Sequence, residues 1–356
     1  MNAAAAEPKL PLEKILREQI AHEGSISIAD YMALALSHPQ HGYYVTRDPF
    51  GQGGDFTTSP EISQLFGEMF GAFIAAEWMA MEKPSALNVV ECGAGRGTLM
   101  RDACRVFEIV PDLIQSLHLH LIEISPKLRD VQKLSLQGRK VTWHDNLDSV
   151  PDGPFALIAN EFLDALPIEQ FVYEGGQWRE RRIGLQNGTL TFVSGDVADI
   201  HVIANEGNIF EKSPAREGFM RDVAIRCMKR KGFAVFVDYG HVRSGIGDTL
   251  QAVRGHEYFD VLRNPGSADL TSHVDFSVLK KIADTQGCDV YGPAGQGSFL
   301  KSCGITERAA LLAQKNPAAD VASALHRLTS PDEMGELFKV MIIASPEVPF
   351  VLQAFE

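Results

Sequence analysis

A turn built on three glycines carries residue types that can bind a small charged ligand. Glu91 precedes the turn, and Gly93, Gly95 and Gly97 follow at alternate positions. Glycine lets the main chain approach a ligand closely, and the start of the helix expected near Thr98 suits a carboxylate or a phosphate. A dinucleotide site has the spacing G-x-G-x-x-G, whereas this turn reads G-x-G-x-G with an acid two positions earlier. The spacing favours S-adenosylmethionine (SAM) over a dinucleotide, with an ordinary strand-to-helix turn as the alternative.

Two later acids are expected at the same ligand. Glu123 ends the run HLHLIE, at the expected end of a second strand, where a carboxylate can accept both hydroxyl hydrogens of a ribose. Asp145, within WHDN, follows the expected third strand, and a short polar side chain there can bind the exocyclic amine of adenine. A surface turn acid without a binding role is the other interpretation of Asp145.

Asn160, Glu161 and Asp164 place an amide and two carboxylates just beyond the expected fourth strand. In open α/β sheets this edge binds ligands. Methyl transfer from a sulfonium is an in-line displacement, so the enzyme mainly holds the acceptor nitrogen near the methyl group and excludes water. A carboxylate can grip an arginine guanidinium bidentately, so we assign that contact to Glu161. Helix capping is the alternative explanation for Glu161 or Asp164.

Three further polar residues have both a functional and a structural interpretation. His273 could act as a base or as a hydrogen-bond partner of the acceptor, because the unperturbed pKa of histidine lies near neutrality. A histidine near a helix start is also commonly structural. Asp238 and Asp269 are expected at the same edge of the sheet, or as caps of turns.

The elements that position these residues alternate between strands and helices. Apolar runs of strand length occupy residues 88–91, 117–124, 155–160 and 233–238. Such alternation predicts βαβ units and a parallel sheet. A helical period precedes them and makes residues 10–81 mostly helical, with the apolar positions Leu12, Ile15, Leu16, Ile20, Leu65, Phe66, Met69, Phe70 and Phe73.

Additions to this pattern are predicted in the second half of the chain. Gly175-Gly176 and Asn187-Gly188 are hairpin signals that predict an inserted β-meander over residues 169–203. A helix is expected over 274–285, a short strand near Val290, and a further apolar run at 338–344.

Composition narrows the function classes. The formal net charge of −13 argues against a nucleic-acid partner, because duplex binding depends on lysine and arginine displacing counterions. No apolar run is long enough for a membrane span, and the five cysteines are not spaced as a zinc site, so no metal is expected. The first ten residues fit neither a secretory signal nor an arginine-rich transit peptide, so we expect a cytoplasmic protein.

Together these residues resemble the MidA-like methyltransferases, a family that includes the mitochondrial complex I assembly factor that methylates an arginine. The resemblance covers nearly all the chain and rests on the motifs HGYY at 41–44, GDFTTSPE at 54–61, the glycine turn, NEFLDALP at 160–167, DYG at 238–240, DLTSHVDF at 269–276 and QGSFL at 296–300. It implies that Thr58, Ser59 and Pro60 contribute to the SAM site. One departure is that Glu161 and Glu169 lie eight apart, not nine as in the double-glutamate loop of other arginine methyltransferases, so only Glu161 is carried over.

We therefore expect an α/β fold of class I SAM-dependent methyltransferase type, with a Rossmann-like, mostly parallel seven-stranded sheet. The expected organisation is a helical region at 1–82, a core at 83–240 that contains the meander, a substrate-cleft insertion at 241–273 and the rest of the core at 274–356. By the resemblance, the function is symmetric dimethylation of an arginine in a subunit of NADH:quinone oxidoreductase. The alternatives are a SAM-binding assembly chaperone and a small-molecule N-methyltransferase.

Overall fold

The computed structural model describes residues 11–47, 57–315 and 320–350. Its helices are α1 (Pro11–Glu23), α2 (Ile28–Ser37), α3 (Tyr43–Thr46), α4 (Ser59–Ile62), α5 (Gln64–Ala80), α6 (Thr98–Phe107), α7 (Leu113–Ser116), α8 (Pro126–Ser135), α9 (Pro214–Arg230), α10 (Phe276–Thr285), α11 (Gln296–Ser302), α12 (Ile305–Lys315), α13 (Val321–Thr329) and α14 (Met334–Leu337). Its strands are β1 (Ile26–Ser27), β2 (Leu87–Cys92), β3 (Leu117–Ile122), β4 (Val141–His144), β5 (Phe155–Asn160), β6 (Glu169–Glu174), β7 (Gln177–Gln186), β8 (Thr189–Val197), β9 (Ile209–Lys212), β10 (Phe233–His241), β11 (Gln251–Arg254), β12 (Glu257–Phe259), β13 (Asp269–Thr271), β14 (Val274–Asp275), β15 (Asp289–Gly295) and β16 (Phe338–Ala344).

The central sheet has the strand order β15-β16-β10-β5-β2-β3-β4, with the short β14 attached to β10. Its five strands from β10 to β4 run parallel, whereas β16 is antiparallel to both β10 and β15. The predicted seven-stranded, mostly parallel α/β sheet is confirmed.

The core lies on both faces of this sheet, because helices cover each side. One face packs Phe73, Trp78 and Phe299, and the other packs Met220 and Phe276. A parallel sheet covered in this way needs apolar residues on both sides of its strands, which explains the continuous apolar runs of the sequence. All six residues of β2 and all six of β5 are buried.

The predicted β-meander is present as the hairpins β6–β7 and β7–β8. Their turns are Gly175-Gly176 and Asn187-Gly188, and all four residues have positive φ. Glycine and asparagine tolerate this conformation, which the tight hairpin turn requires. The strands β9 and β1, which the sequence did not predict, complete this second sheet by pairing with β6 and β7.

A third, small sheet of order β12-β11-β13 lies within the predicted insertion at 241–273. The helix predicted from Val274 begins two residues later, at Phe276, because Val274 and Asp275 pair with the end of β10. The Asp275 side chain then accepts hydrogen bonds from the main-chain N–H groups of Ser277 and Val278, which caps α10. The chain boundaries proposed for the four regions stay predictions.

Helices dominate the part of residues 10–81 that is described, as the sequence predicted. Leu12, Leu16 and Ile20 form the buried stripe of α1, and Phe66, Phe70 and the neighbouring apolar residues are buried on α5. Over the described residues, no helix combines the length and apolar character that a membrane crossing needs.

Candidate active site

A cavity of about 770 Å³ opens at the C-terminal edge of the parallel strands. This volume is in the range of sites that enclose a small ligand. Twelve of the residues predicted from the sequence line it: Thr58, Pro60, Glu91, Gly93, Gly95, Glu123, Asp145, Asn160, Glu161, Asp164, Asp269 and His273. Ser59 and Gly97 lie beside the cavity but are not among its lining residues.

The glycine turn has the conformation that its composition predicted. Gly93, Gly95 and Gly97 have φ values of 64°, 52° and 76°, a region that favours glycine. A Cβ atom at Gly93 would lie 2.9 Å from Cδ2 of Phe162, so this residue must lack a side chain. Gly97 is instead the N-cap of α6, and its Cα faces Gln132 on α8, so its direct contact with a ligand stays a prediction.

Glu91 is buried at the end of β2 and faces the cavity. Burial raises its pKa to about 8, although the main-chain N–H of Met100 bonds the carboxyl and opposes the shift. Its Oε2 is buried without a hydrogen-bond partner among the described residues. A buried polar atom without a partner is unusual in a native structure, and a donor group on a bound ligand would satisfy it.

Glu123 is held rigidly by its own loop and by α8. Its Oε1 accepts a hydrogen bond from the Ser125 N–H at 2.8 Å, and its Oε2 accepts one from Nε2 of Gln132 at 3.1 Å. Burial raises the pKa of this carboxyl. Gln132 also donates to the Gly95 carbonyl at 2.8 Å. The single buried amide of Gln132 therefore links the glycine turn to Glu123, the carboxylate that is proposed to bind the ribose. Gln132 was not found from the sequence, because it lies in the middle of a helix with no motif around it.

Asp145 lines the cavity with a side chain that is 80% exposed. Oδ1 of Asp145 accepts a hydrogen bond from Arg129 at 2.6 Å. Because Arg129 already bonds the Asp145 carboxylate, the contact of Asp145 with adenine stays a prediction.

One end of the cavity carries Asn160, Glu161 and Asp164, and we call it the acceptor end. Residues 58–60, which the family resemblance assigned to the site, lie against this end. Ser59 is fully buried, and its main-chain N–H donates to Oε1 of Glu161 at 3.0 Å. Thr58 and Pro60 flank it on the cavity wall. The preceding residues of that motif, 54–56, lie outside the described residues.

Glu161 occupies the strained start of the loop that follows β5. Its φ is 47°, uncommon for a residue with a side chain, and its N–H donates to the Val237 carbonyl at 2.8 Å. Oε1 accepts from Ser59 and, at 3.2 Å, from Nδ2 of Asn160, which leaves Oε2 for a ligand. Burial raises the pKa of Glu161 to about 8 against the effect of the Ser59 N–H.

Asn160 presents a second acceptor at the same place. Asn160 lines the cavity, and because its Nδ2 bonds Glu161, its amide orientation leaves Oδ1 as an acceptor. This oxygen is buried and has no partner among the described residues. Asn160 Oδ1 and Glu161 Oε2 therefore form an adjacent pair of acceptors suited to a ligand with several N–H groups.

Two buried side chains, those of Asp238 and Arg216, hold the loop that carries these acceptors. Oδ2 of Asp238 accepts from the N–H groups of Leu163 and Asp164 at 3.0 and 3.1 Å. Arg216 of α9 donates to the carbonyls of Leu163 and Asp164 at 2.7 and 3.0 Å. Asp238 thus takes the capping role that the sequence left open. Arg216 gave no signal in the sequence, because its partners are more than fifty residues away.

Arg216 extends the same network to the segment before α10. It donates to the Ser272 carbonyl at 3.1 Å and to the His273 carbonyl at 2.6 Å. The N–H of Ser272 in turn donates to the Asp164 carbonyl at 3.1 Å. The two loops that border the acceptor end are therefore fixed relative to each other.

Asp164 and Asp269 complete the acidic end of the cavity, and each bonds a tyrosine. The Tyr239 hydroxyl bonds Asp164, and the Tyr44 hydroxyl donates to Oδ1 of Asp269 at 2.8 Å. Burial raises the pKa of Asp164. Both tyrosines lie in motifs of the sequence, but only the fold shows which carboxylates they contact.

His273 lines the cavity with a neutral imidazole. Burial lowers its pKa, and the nearby His241 lowers it further. Its ring packs edge-on against Tyr239 at 5.6 Å between centroids. This geometry permits both the functional and the structural interpretation, so its role stays a prediction. Glu169, which was not carried over, begins β6 and is not among the lining residues.

Metal-ligating side chains do not cluster in the described parts of the chain. No group of three or more His, Cys, Asp or Glu residues within 11–47, 57–315 and 320–350 is placed to hold a metal ion.

The fold and this cavity define an α/β methyltransferase that uses SAM: a glycine turn, a buried carboxylate at each of two strand ends and an acidic acceptor end fit that ligand. A family model described as "Putative S-adenosyl-L-methionine-dependent methyltransferase" matches residues 69–294. Protein arginine methyltransferase NDUFAF7, mitochondrial, from Danio rerio is 38% identical over 92% of this chain and 85% of its own length. The same-named protein from Homo sapiens is 35% identical over 95% and 84%.

A solved structure has the same fold. The crystal structure of a Burkholderia thailandensis protein bound to S-adenosyl-homocysteine is 29% identical and superimposes with a TM-score of 0.84, covering 97% of this chain and 94% of that one. The chain belongs to the MidA-like family of SAM-dependent methyltransferases.

Proposed function

We propose that the protein methylates an arginine guanidinium of a protein substrate. The observation that carries this proposal is the acceptor pair formed by Asn160 Oδ1 and Glu161 Oε2 in the cavity wall. A guanidinium presents several N–H donors in one plane and can bond two neighbouring oxygens at once. The relatives named above are protein arginine methyltransferases, which supports the same acceptor.

Charge in the cavity supports a cationic acceptor. Among the described residues that line it, nine carry carboxyl groups (Glu61, Glu91, Glu123, Asp145, Glu161, Asp164, Asp269, Asp332 and Glu333) and two are arginines (Arg96 and Arg327). Burial raises the pKa of Glu91, Glu123, Glu161 and Asp164, and a bound cation favours their ionised forms. A positive ligand gains from this excess of acid, whereas an anionic acceptor would be repelled.

The residues of the acceptor end can both hold the guanidinium and take up the proton that the reaction releases. SAM supplies an electrophilic methyl group on a sulfonium. When a nitrogen of the guanidinium gains that methyl group, the carbon–sulfur bond breaks and the nitrogen must lose one proton to remain a monocation. Glu161, whose pKa is about 8 before a cation binds, is a suitable acceptor for this proton. Its bond to Asn160 keeps the carboxyl oriented.

The finer part of the proposal rests on the family resemblance. It assigns symmetric dimethylation and an arginine in a subunit of NADH:quinone oxidoreductase, modified during assembly of that complex. We also propose that the protein acts in the cytoplasm, which cell fractionation would test.

The test is to incubate the purified protein and methyl-labelled SAM with extract from cells that lack it, then to hydrolyse the labelled protein. Symmetric dimethylarginine in one main band, identified by mass as a subunit of that oxidoreductase, is the expected result. Label in small molecules alone would replace this proposal with a small-molecule N-methyltransferase. SAM binding without any label would favour an assembly chaperone.

A further inference from the structure

The opening of the cavity carries large apolar side chains that are left in solvent. Tyr258 of β12 is 84% exposed and Leu337 at the end of α14 is 58% exposed, yet both line the cavity. Single exposed apolar residues are common on protein surfaces, but these two border a site from two separate elements. We call Tyr258, Leu337, Asp332 and Glu333 the mouth of the cavity.

The Tyr258 side of the mouth is a hairpin tip. Gly255 and His256 form its turn, both with positive φ, and Tyr258 follows on β12. Within the part of the chain that the structure describes, β12 pairs with β11 alone and is therefore an edge strand. The opposite strand β13 carries Asp269, so one small sheet extends from the mouth to the acidic acceptor end.

The other side of the mouth comes from the segment between α13 and α14. Asp332 and Glu333 are exposed and line the cavity. Arg327 also lines it, and its positive charge offsets part of their negative charge. A hydrogen bond from Ser330 lowers the pKa of Asp332, so this carboxylate is ionised at neutral pH. The mouth therefore combines apolar anchors with an excess of negative charge, as the cavity behind it does.

We infer that the mouth binds an extended, basic segment of the acceptor protein on either side of the arginine that enters the cavity. This inference rests on the proposed function, since it names how that acceptor docks. An arginine side chain can reach a buried acceptor pair only if the chain around it lies across the opening. Tyr258 and Leu337 then cover apolar groups of that segment, and lysine or arginine neighbours meet Asp332 and Glu333. The exposed edge of β12 offers main-chain hydrogen bonds to an extended partner.

The experiment compares two short synthetic peptides with one central arginine, flanked by lysine and leucine in one and by aspartate and leucine in the other. Methyl transfer from labelled SAM is measured for the wild type, for Tyr258→Ala/Leu337→Ala and for the control Leu134→Ala/Leu311→Ala. The control residues are 75% and 52% exposed and lie outside the cavity lining. We expect the wild type to prefer the lysine peptide, and the mouth variant to raise KM for it about tenfold with kcat and SAM affinity unchanged.

Failure of the docking inference and failure of the proposed function give different results in these assays. An unchanged KM in the mouth variant, or a wild type that labels arginine in a protein of the extract but methylates neither peptide, overturns docking at the mouth and leaves arginine methylation standing. Equal KM values for the two peptides also overturn the inference, because the basic neighbours would then contribute nothing. No arginine label in either the peptides or the extract overturns the proposed function itself.

Discussion

Glu161 combines a strained main chain with a side chain that is fixed at one oxygen and available at the other. Its positive φ is compatible with the fold because its N–H bonds Val237 and its Oε1 bonds Ser59 and Asn160. Strain of this kind is found where surrounding contacts determine a residue's position, and functional sites often use it. The sequence placed Asn160 and Glu161 at the end of β5, but it did not show the hydrogen bonds that orient the Glu161 carboxyl or which of its oxygens stays available.

The raised pKa of Glu161 predicts a pH-dependent rate. The ionised carboxylate binds a guanidinium, and the free carboxyl has a pKa of about 8. At saturating SAM, kcat/KM for the arginine substrate is therefore expected to rise with pH and to level off above about 8. Initial rates between pH 6 and 9.5 would measure this, with buffers checked for enzyme stability. A profile that falls over this range would contradict the assignment.

Gln132 is the second residue-scale test, because one amide bonds both Gly95 and Glu123. The change Gln132→Leu keeps the size of the side chain but leaves buried acceptors without a donor. Loss of such a bond costs about 1–3 kcal/mol, so SAM affinity measured by calorimetry should fall roughly tenfold. A Kd equal to that of the wild type would show that Gln132 does not position the site.

At the scale of elements, residues 161–168 between β5 and β6 form the acceptor loop, and residues of β10 and α9 hold it in place. The buried side chain of Asp238 accepts hydrogen bonds from N–H groups of this loop and the buried Arg216 donates to its carbonyls, so both kinds of main-chain group are held. Because the loop bears Glu161 at its start, a small shift of the loop displaces both proposed acceptors. Misplacement by about 1 Å can lower a rate about a hundredfold.

The matching variant is Arg216→Lys, which keeps the charge but cannot reach four carbonyls. We expect kcat to fall about tenfold to a hundredfold with SAM affinity unchanged, measured by single turnover and calorimetry. Arg226→Lys is the control, since Arg226 also lies on α9 and bonds three carbonyls, those of Leu147, Val150 and Pro151, away from the acceptor loop. An equal loss of kcat in both variants would show general destabilisation instead of positioning.

Elements with long apolar runs were predictable, and short elements were not. The strands β2, β3, β5 and β10 could be predicted because a buried parallel strand is apolar on both faces. The small sheet of β11, β12 and β13 was missed, since its strands are three or four residues long and carry polar side chains such as Gln251 and Asp269. Contacts such as Arg216 to Ser272 depend on chain segments that meet only after folding.

For the whole molecule, buried acids predict how stability depends on pH. The pKa values of Glu91 and Glu161 are raised from 4.5 to about 8, so the folded state binds more protons than the unfolded state between these values. Their contribution to stability is complete below pH 4.5 and is lost as pH rises through about 8. Each group that is protonated in the folded state and ionised in the unfolded state contributes a slope of about 1.4 kcal/mol per pH unit at most.

The thermal midpoint of the ligand-free protein is therefore expected to fall as the pH rises from about 4.5 to about 8, and scanning calorimetry would measure it. In Glu161→Gln the fall should be shallower, because a neutral amide replaces one of the two titrating groups. A midpoint that rises over this interval would mean that these carboxyls are ionised in the folded protein.

The central claim is that Glu161 serves the acceptor and not SAM, and the most direct measurement compares Glu161→Gln with the wild type in two assays. Calorimetry gives the Kd for SAM, and a single turnover with labelled SAM gives the rate of methyl transfer to arginine. We predict a Kd within about threefold of the wild type and a rate lowered at least about a hundredfold. A methyl-transfer rate equal to that of the wild type, with the arginine still modified, would contradict the account.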